Sequence, residues 1–85
     1  MSMPTLLIVR NFAFIIHTRD HGFPHVTVYQ GTPENHEAMA KVRLDNMDVL
    51  EVRHFTKRDV VLILKIISRY QPEWMEVWNE IFKGR

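Results

Sequence analysis

The sequence predicts an α+β domain spanning residues 1–85, an antiparallel meander of about four strands with two C-terminal helices packed on one face. Three observations point there. The first half breaks into short runs rich in Ile, Val and Phe bounded by turn residues, the signature of strands. Apolar positions within those runs recur every second residue, whereas in the last third they recur at helical spacing. A meander covered by helices on one side has one packed and one solvated face.

Thr5 to Arg10 and Phe12 to Thr18 are two apolar runs parted by Asn11 and read as a hairpin. "TRDHGFP" collects Asp20, Gly22 and Pro24, residues that set turn geometry, before His25 to Gln30 resume as a strand. Alternation there puts Val26 and Val28 on one side and His25, Thr27 and Tyr29 on the other. "GTPENHE", with Gly31, Pro33 and Asn35, is the most polar stretch and reads as an exposed loop. The fourth strand, "AMAKVRL", sets Ala38, Ala40, Val42 and Leu44 against Met39, Lys41 and Arg43. Asp45 to Phe55 fits either a short fifth strand or an irregular helical turn.

Thr56 followed by Asp59 resembles a capping box, with Asp where Glu or Gln is preferred. It opens a helix from Lys57 to Tyr70 on which Val60, Ile63, Leu64 and Ile67 follow helical spacing. The β-branched run "VVLILKII" leaves a strand open on periodicity alone, and its length favours helix. Pro72 lacks an amide hydrogen and is tolerated best in a first helical turn, so a second helix is expected from Glu73 to Lys83. Trp74, Val77, Trp78 and Ile81 share its face, and Gly84 follows as a stop.

At 85 residues the chain is one small domain. With 46% hydrophobic and 25% charged residues it carries the apolar surface that a disordered segment lacks. The absence of cysteine removes disulfides, thiolate nucleophiles and cysteine-based metal sites, which fits a reducing cytoplasm. "TLLIV" is too short for a signal sequence, and no segment approaches the roughly 20 apolar residues of a membrane span. Eleven Lys and Arg against ten Asp and Glu leave no strong overall field to attract polyanions. Any site for nucleic acid has to be local.

The order "MPT" (Met3 to Thr5), "PHV" (Pro24 to Val26), "AKVRLD" (Ala40 to Asp45), a helix opened by "FT" and "WNEIF" (Trp78 to Phe82) resembles the bacterial domain of unknown function family 4160. The resemblance implies a stand-alone protein often encoded beside another small protein, and a place in toxin–antitoxin-like gene pairs. In the usual pattern a second histidine follows as "PHVHV", where this chain has Thr27, and "LDP" is here "LDN" with Asn46.

Several side chains carry chemistry. His25 together with His17, His21, His36, Asp20 or Glu37 offers imidazole and carboxylate donors, though at no recognised zinc spacing, and no metal or other cofactor is expected. "HVT" matches one HxT element of the two-histidine phosphoesterases, which use two. His25 and Thr27 are therefore the candidate catalytic residues, with Lys41 and Arg43 as cations for a phosphorane. The plainer reading makes His25, Thr27 and Tyr29 the wet side of the sheet. If the third and fourth strands pair, Lys41 and Arg43 join them in a basic, aromatic and hydroxyl-bearing face suited to RNA or an acidic protein surface. Trp74 and Trp78 are expected in the core, His36 and His54 on loop and surface. Asp45, Asp48 and Glu51 form a solvated edge or a cap sooner than a cation site.

These features favour a bacterial cytoplasmic protein-binding or regulatory module over an enzyme, with His25, Thr27, Tyr29, Lys41 and Arg43 as its binding residues. The expected partner is a cognate small protein, and no membrane is involved; a homodimer stays open. The alternative is an RNA-binding protein or metal-independent ribonuclease on the open face of strands three and four. An exposed sheet edge would permit pairing by strand addition.

Overall fold

The computed structural model describes residues 5–18 and 22–83. Met3, Pro4, Asp20, His21 and Gly84, each singled out above, lie outside the described residues. Five strands run in simple meander order: β1 (Thr5–Val9), β2 (Phe12–Ile15), β3 (His25–Gly31), β4 (His36–Arg43) and β5 (Val49–Arg53), all neighbours antiparallel. One helix, α1 (Lys57–Ile81), follows. The fold class is as expected, with two corrections.

The first correction concerns Asp45 to Phe55, which contains a fifth strand. Its alternation is hard to read because the β4–β5 register shifts between Lys41 and Val42: Glu51 faces Lys41 and Val49 faces Val42, leaving Leu50 as an extra residue. The second is that Pro72 lies inside a single helix of 25 residues. Ile67 and Trp74 are seven residues apart, close to two full turns, so the buried stripe Ile63, Ile67, Trp74 and Trp78 crosses the proline without changing face. Burial of that stripe outweighs the lost backbone bond. Ser68, whose carbonyl loses its partner, and Pro72 are both exposed, so the lost bond falls on the solvent side of the helix. Beside it, Gln71 donates from Nε2 to the Leu44 carbonyl (2.5 Å) and pins this turn to the end of β4.

The N-terminus of α1 is capped as its sequence indicates. Asp59 N–H donates to Thr56 Oγ1 and Thr56 N–H to Asp59 Oδ2, both at 3.1 Å. Two of the helix's orphan amides are thereby satisfied. Along the buried face Tyr70 stacks on Trp74 (5.2 Å between centroids) and Trp78 packs on Phe82 (4.2 Å). Trp74 meets Phe14 of β2 at 5.3 Å, which joins the helix to the sheet. Both tryptophans are core, together with Phe12, Ile16, Val26, Val28, Ala40, Val42 and Leu44.

Turns fix the register. Val9 pairs with Phe12, leaving Arg10 and Asn11 as a two-residue loop in which Arg10 takes a left-handed φ of 56°, a position such hairpins usually give to Gly or Asn. Gly31 ends β3 at φ 119°, and a Cβ there would lie 2.6 Å from the Asn35 carbonyl oxygen, so both backbone and space require glycine. The polar loop is shorter than expected, since His36 and Glu37 already belong to β4. Among the described residues no helix is long and apolar enough to cross a membrane.

An interior proline disfavours a helix by about 3 kcal/mol relative to alanine. Because α1 is continuous, Pro72→Ala is expected to stabilise the protein by roughly 1 to 3 kcal/mol, read as a higher urea midpoint with unchanged slope. A lower midpoint would show that the proline is needed for the helix's fit to the sheet.

Candidate binding surface

The sheet face away from α1 is built in transverse rows by the strand register. Ile8, Ala13, Tyr29, Met39 and Arg53 form one row, and Thr5, Ile15, Thr27, Lys41 and Glu51 the next. His25 and Arg43 are opposed at the end of the β3–β4 pair. The face thus grades from apolar at β1 and β2 to charged at β4 and β5.

This face is not wet at its centre. Thr27 is 1% exposed, and His25 and Tyr29 are each 8% exposed. Ala13, Ile15 and Tyr29 form a second small apolar cluster with Met39 against it. Alternation separates Thr27 and Tyr29 from Val26 and Val28, whereas the His25 ring, at the end of the strand, meets Trp78 of α1. Thr27 Oγ1 has no hydrogen-bond partner among the described residues.

Each named site residue has its own surroundings. His25, at the first position of β3, shares a 3.1 Å hydrogen bond between Nδ1 and the Phe23 carbonyl and lies 5.3 Å from the Trp78 ring. Tyr29 shares a 2.9 Å hydrogen bond between its hydroxyl and His17 Nε2, with the His36 ring 4.7 Å away. Lys41 is 3.9 Å from Glu51, which also takes Arg53 at 2.7 Å. Arg43 donates from Nε to Asp45 Oδ1 (2.8 Å) and from its terminal nitrogen to Oδ2 (2.5 Å), a two-point grip, while its guanidinium covers the Phe23 ring at 4.3 Å. The hydrogen bond from Arg43 holds the Asp45 carboxyl below the ordinary range, and Asp45 in turn raises Arg43.

The structure therefore sets Thr27 opposite Lys41 and His25 opposite Arg43. It does not connect Thr27 to His25 by a hydrogen bond, since the hydroxyl has no partner. No three His, Asp or Glu side chains converge as metal donors among the described residues. The acidic triplet is dispersed: Asp45 pairs with Arg43, Asp48 accepts from Asn46 (3.1 Å), and Glu51 joins Lys41 and Arg53. His36 leads β4 and is exposed, with Nδ1 near the Thr32 and Pro33 carbonyls; His54 is exposed at a left-handed φ of 67°.

Sequence reasoning passed over three features. The His17–Tyr29–His36 group depends on a cross-strand approach that spacing along the chain does not show. On β5, Val49, Leu50 and Val52 are 40 to 42% exposed, because α1 leaves this edge uncovered. The basic groove of Arg10, Arg58 and Lys65 arises where the β1–β2 turn meets the start of α1. For β5 the strand itself is one of the two readings that Asp45 to Phe55 admits; what the sequence does not show is how far its apolar residues stay uncovered.

Residues 11–79, from the β1–β2 turn almost to the end of α1, match the family model described as Domain of unknown function (DUF4160). No curated protein and no solved structure matches the chain.

Two outcomes follow from this geometry. Thr27→Val keeps the shape and removes an unpartnered buried hydroxyl, so stability is expected to rise by about 1 kcal/mol, measured by chemical denaturation; a loss would mean that the hydroxyl has a partner in solution. Arg43→Gln removes the group that depresses Asp45, and the carboxyl is expected to titrate nearer its ordinary range by NMR. Because the folded-state value is depressed, the stabilisation from this contact is present above the ordinary carboxylate range and is lost as pH falls through the lowered one. Equal Asp45 titration in the two proteins would refute the assigned cause.

Proposed function

Since the chain belongs to the DUF4160 family, a domain of unknown function, its role must be sought in its surfaces, and we propose that it is a protein-binding module that takes an extended peptide strand on the β5 edge. The observation that carries this reading is the pairing of β5 with β4 alone, with Val49, Leu50 and Val52 left 40 to 42% exposed. A strand edge presents a row of backbone donors and acceptors. Strand addition satisfies them while apolar side chains on the incoming peptide cover the exposed residues.

Natural sheets usually blunt such an edge with lysine, proline or a bulge. β5 has the bulge at Leu50 but neither lysine nor proline. Its charges, Glu51 and Arg53, are of opposite sign and pair with each other, with Lys41 sharing the same carboxylate, so the edge carries no run of one sign. The partner class is a cognate small protein in a cytoplasmic, toxin–antitoxin-like pair, as the family resemblance implies. The RNA-directed alternative has less support on the open face. Its imidazole and hydroxyl are buried, and Lys41 and Arg43 are engaged by Glu51 and Asp45.

The test is co-expression with the product of the neighbouring small gene, followed by hydrogen exchange on the purified complex. Protection of the β5 amides is expected on binding. Leu50→Lys with Val52→Lys is expected to weaken the complex by about tenfold or more, which corresponds to roughly 1.4 kcal/mol, with the melting temperature little changed. His25→Ala with Arg43→Ala is expected to leave binding intact. A complex indifferent to the two lysines, or one lost with the His25 and Arg43 changes, would overturn the strand-addition reading.

A further inference from the structure

The solvent face of α1 is divided by charge. Its first half exposes Arg58, Lys65 and Arg69, and its second half Glu73, Glu76 and Glu80. Among the described residues none of these six has an ion-pair partner, in contrast to Lys41, Arg43 and Arg53 on the sheet. Arg10 extends the basic half across a groove of about 300 Å³ shared with Val61 and Leu62. The acidic half lines a groove of about 740 Å³ that includes Val77 and Ile81.

Within one molecule most of these charges find no counter-charge. Glu80, in the last turn, opposes the helix dipole, whereas the first turn already carries the capping carboxylate Asp59. Lys65 and Arg69, and likewise Glu76 and Glu80, are four residues apart and repel as neighbours on one face, with Arg69 and Glu73 the one opposite-charge pair of the six at that spacing. The pattern becomes favourable if the face meets its own copy in antiparallel orientation. In the register that brings Val61, 53% exposed in the single chain, against the region of the other copy's Val77, Arg58 lies toward Glu80 and Lys65 toward Glu73 of that copy, Arg69 sits near the two-fold axis, and the two helix dipoles oppose.

We infer that the outer face of α1 is a self-association surface, on which two copies of this chain pair through antiparallel α1 helices about a two-fold axis. A polyanion would explain the basic half alone. A basic protein would explain the acidic half alone. A second copy accounts for both with one contact. The helix is long enough for it, since 25 residues extend about 37 Å. This surface is separate from the β5 edge and does not rest on the strand-addition reading.

The experiment is sedimentation equilibrium of the full chain, with circular dichroism to verify folding of each variant. Wild type is expected to dimerise in low salt, with the dissociation constant rising at least about tenfold between roughly 0.05 M and 0.5 M NaCl as screening takes hold. Lys65→Glu with Arg69→Glu makes the face acidic, and Glu73→Lys with Glu76→Lys makes it basic. Each double variant alone is expected to be monomeric, and an equimolar mixture of the two is expected to recover a dimer. A wild type that stays monomeric at low salt overturns the inference, as does a dimer insensitive to salt. A dimer that survives both charge reversals but is lost with Val52→Lys would assign self-association to β5 and overturn it too. Failure of peptide binding at β5 with intact salt-sensitive dimers would reject the strand-addition reading alone.

Discussion

The contact of Trp74 with Phe14, at 5.3 Å between ring centroids, is the junction on which the rest of the structure depends. Phe14 is fully buried on β2, a strand flanked on both sides, and Trp74 sits just past Pro72 in α1. Seating this pair requires the helix to keep its phase through the proline, because a break at residue 72 would turn Trp74 and Trp78 away from the face that Ile63 and Ile67 share. The buried area of two tryptophans is large compared with one missing backbone bond. Sheet and helix thus determine one another: the meander offers a single apolar face, and the helix spends its entire apolar stripe on it.

One helix on five strands leaves much of the sheet uncovered, and the chain manages its exposed parts unequally. On the outer face three cations share two carboxylates, two residues away or directly across the ladder: Arg43 with Asp45, and Arg53 and Lys41 with Glu51. Such exposed pairs contribute little to stability. Their clearer effect is to cancel local fields and to hold side chains over the rows beneath, as Arg43 does over Phe23. The centre of that face becomes buried without a second layer of secondary structure.

Most of this was legible in the sequence where one rule acted alone. Period-two alternation divided β3 and β4 between two faces except at the strand end, where His25 meets Trp78 of α1; the Thr56 and Asp59 pair located the helix start, and paired tryptophans at helical spacing were core. The readings that failed are those in which two rules compete. Pro72 signals a break by local stereochemistry, yet tertiary burial of Trp74 and Trp78 prevails. In "VLEVR" the bulge at Leu50 interrupts the alternation that would have identified β5. For His25, Thr27 and Tyr29 the sequence tells which way a side chain points and nothing about what its cross-strand neighbours place over it. Thr27 stands beside Ile15 and Lys41, twelve and fourteen residues away in the chain but adjacent in the ladder, a neighbourhood that alternation along one strand does not reveal.

The same logic separates the surfaces that the chain closes for itself from those it leaves open. A domain of this size has little stability to spare, so unmatched charge and uncovered apolar area weigh more here than in a larger protein. The sheet's cations are each paired with a carboxylate and its central polar groups are buried, so its outer face is largely closed within the single chain. The β5 edge and the outer face of α1 are treated otherwise: one keeps exposed valines and a leucine beside unpaired backbone, the other keeps six charges segregated by sign along the helix. A lysine on β5 would blunt that edge without disturbing the Phe14 and Trp74 junction, and interleaving the signs along α1 would do the same for the helix beyond its Asp59 cap. The absence of both devices is what the two proposed contacts, strand addition at β5 and pairing of α1 with its copy, would account for.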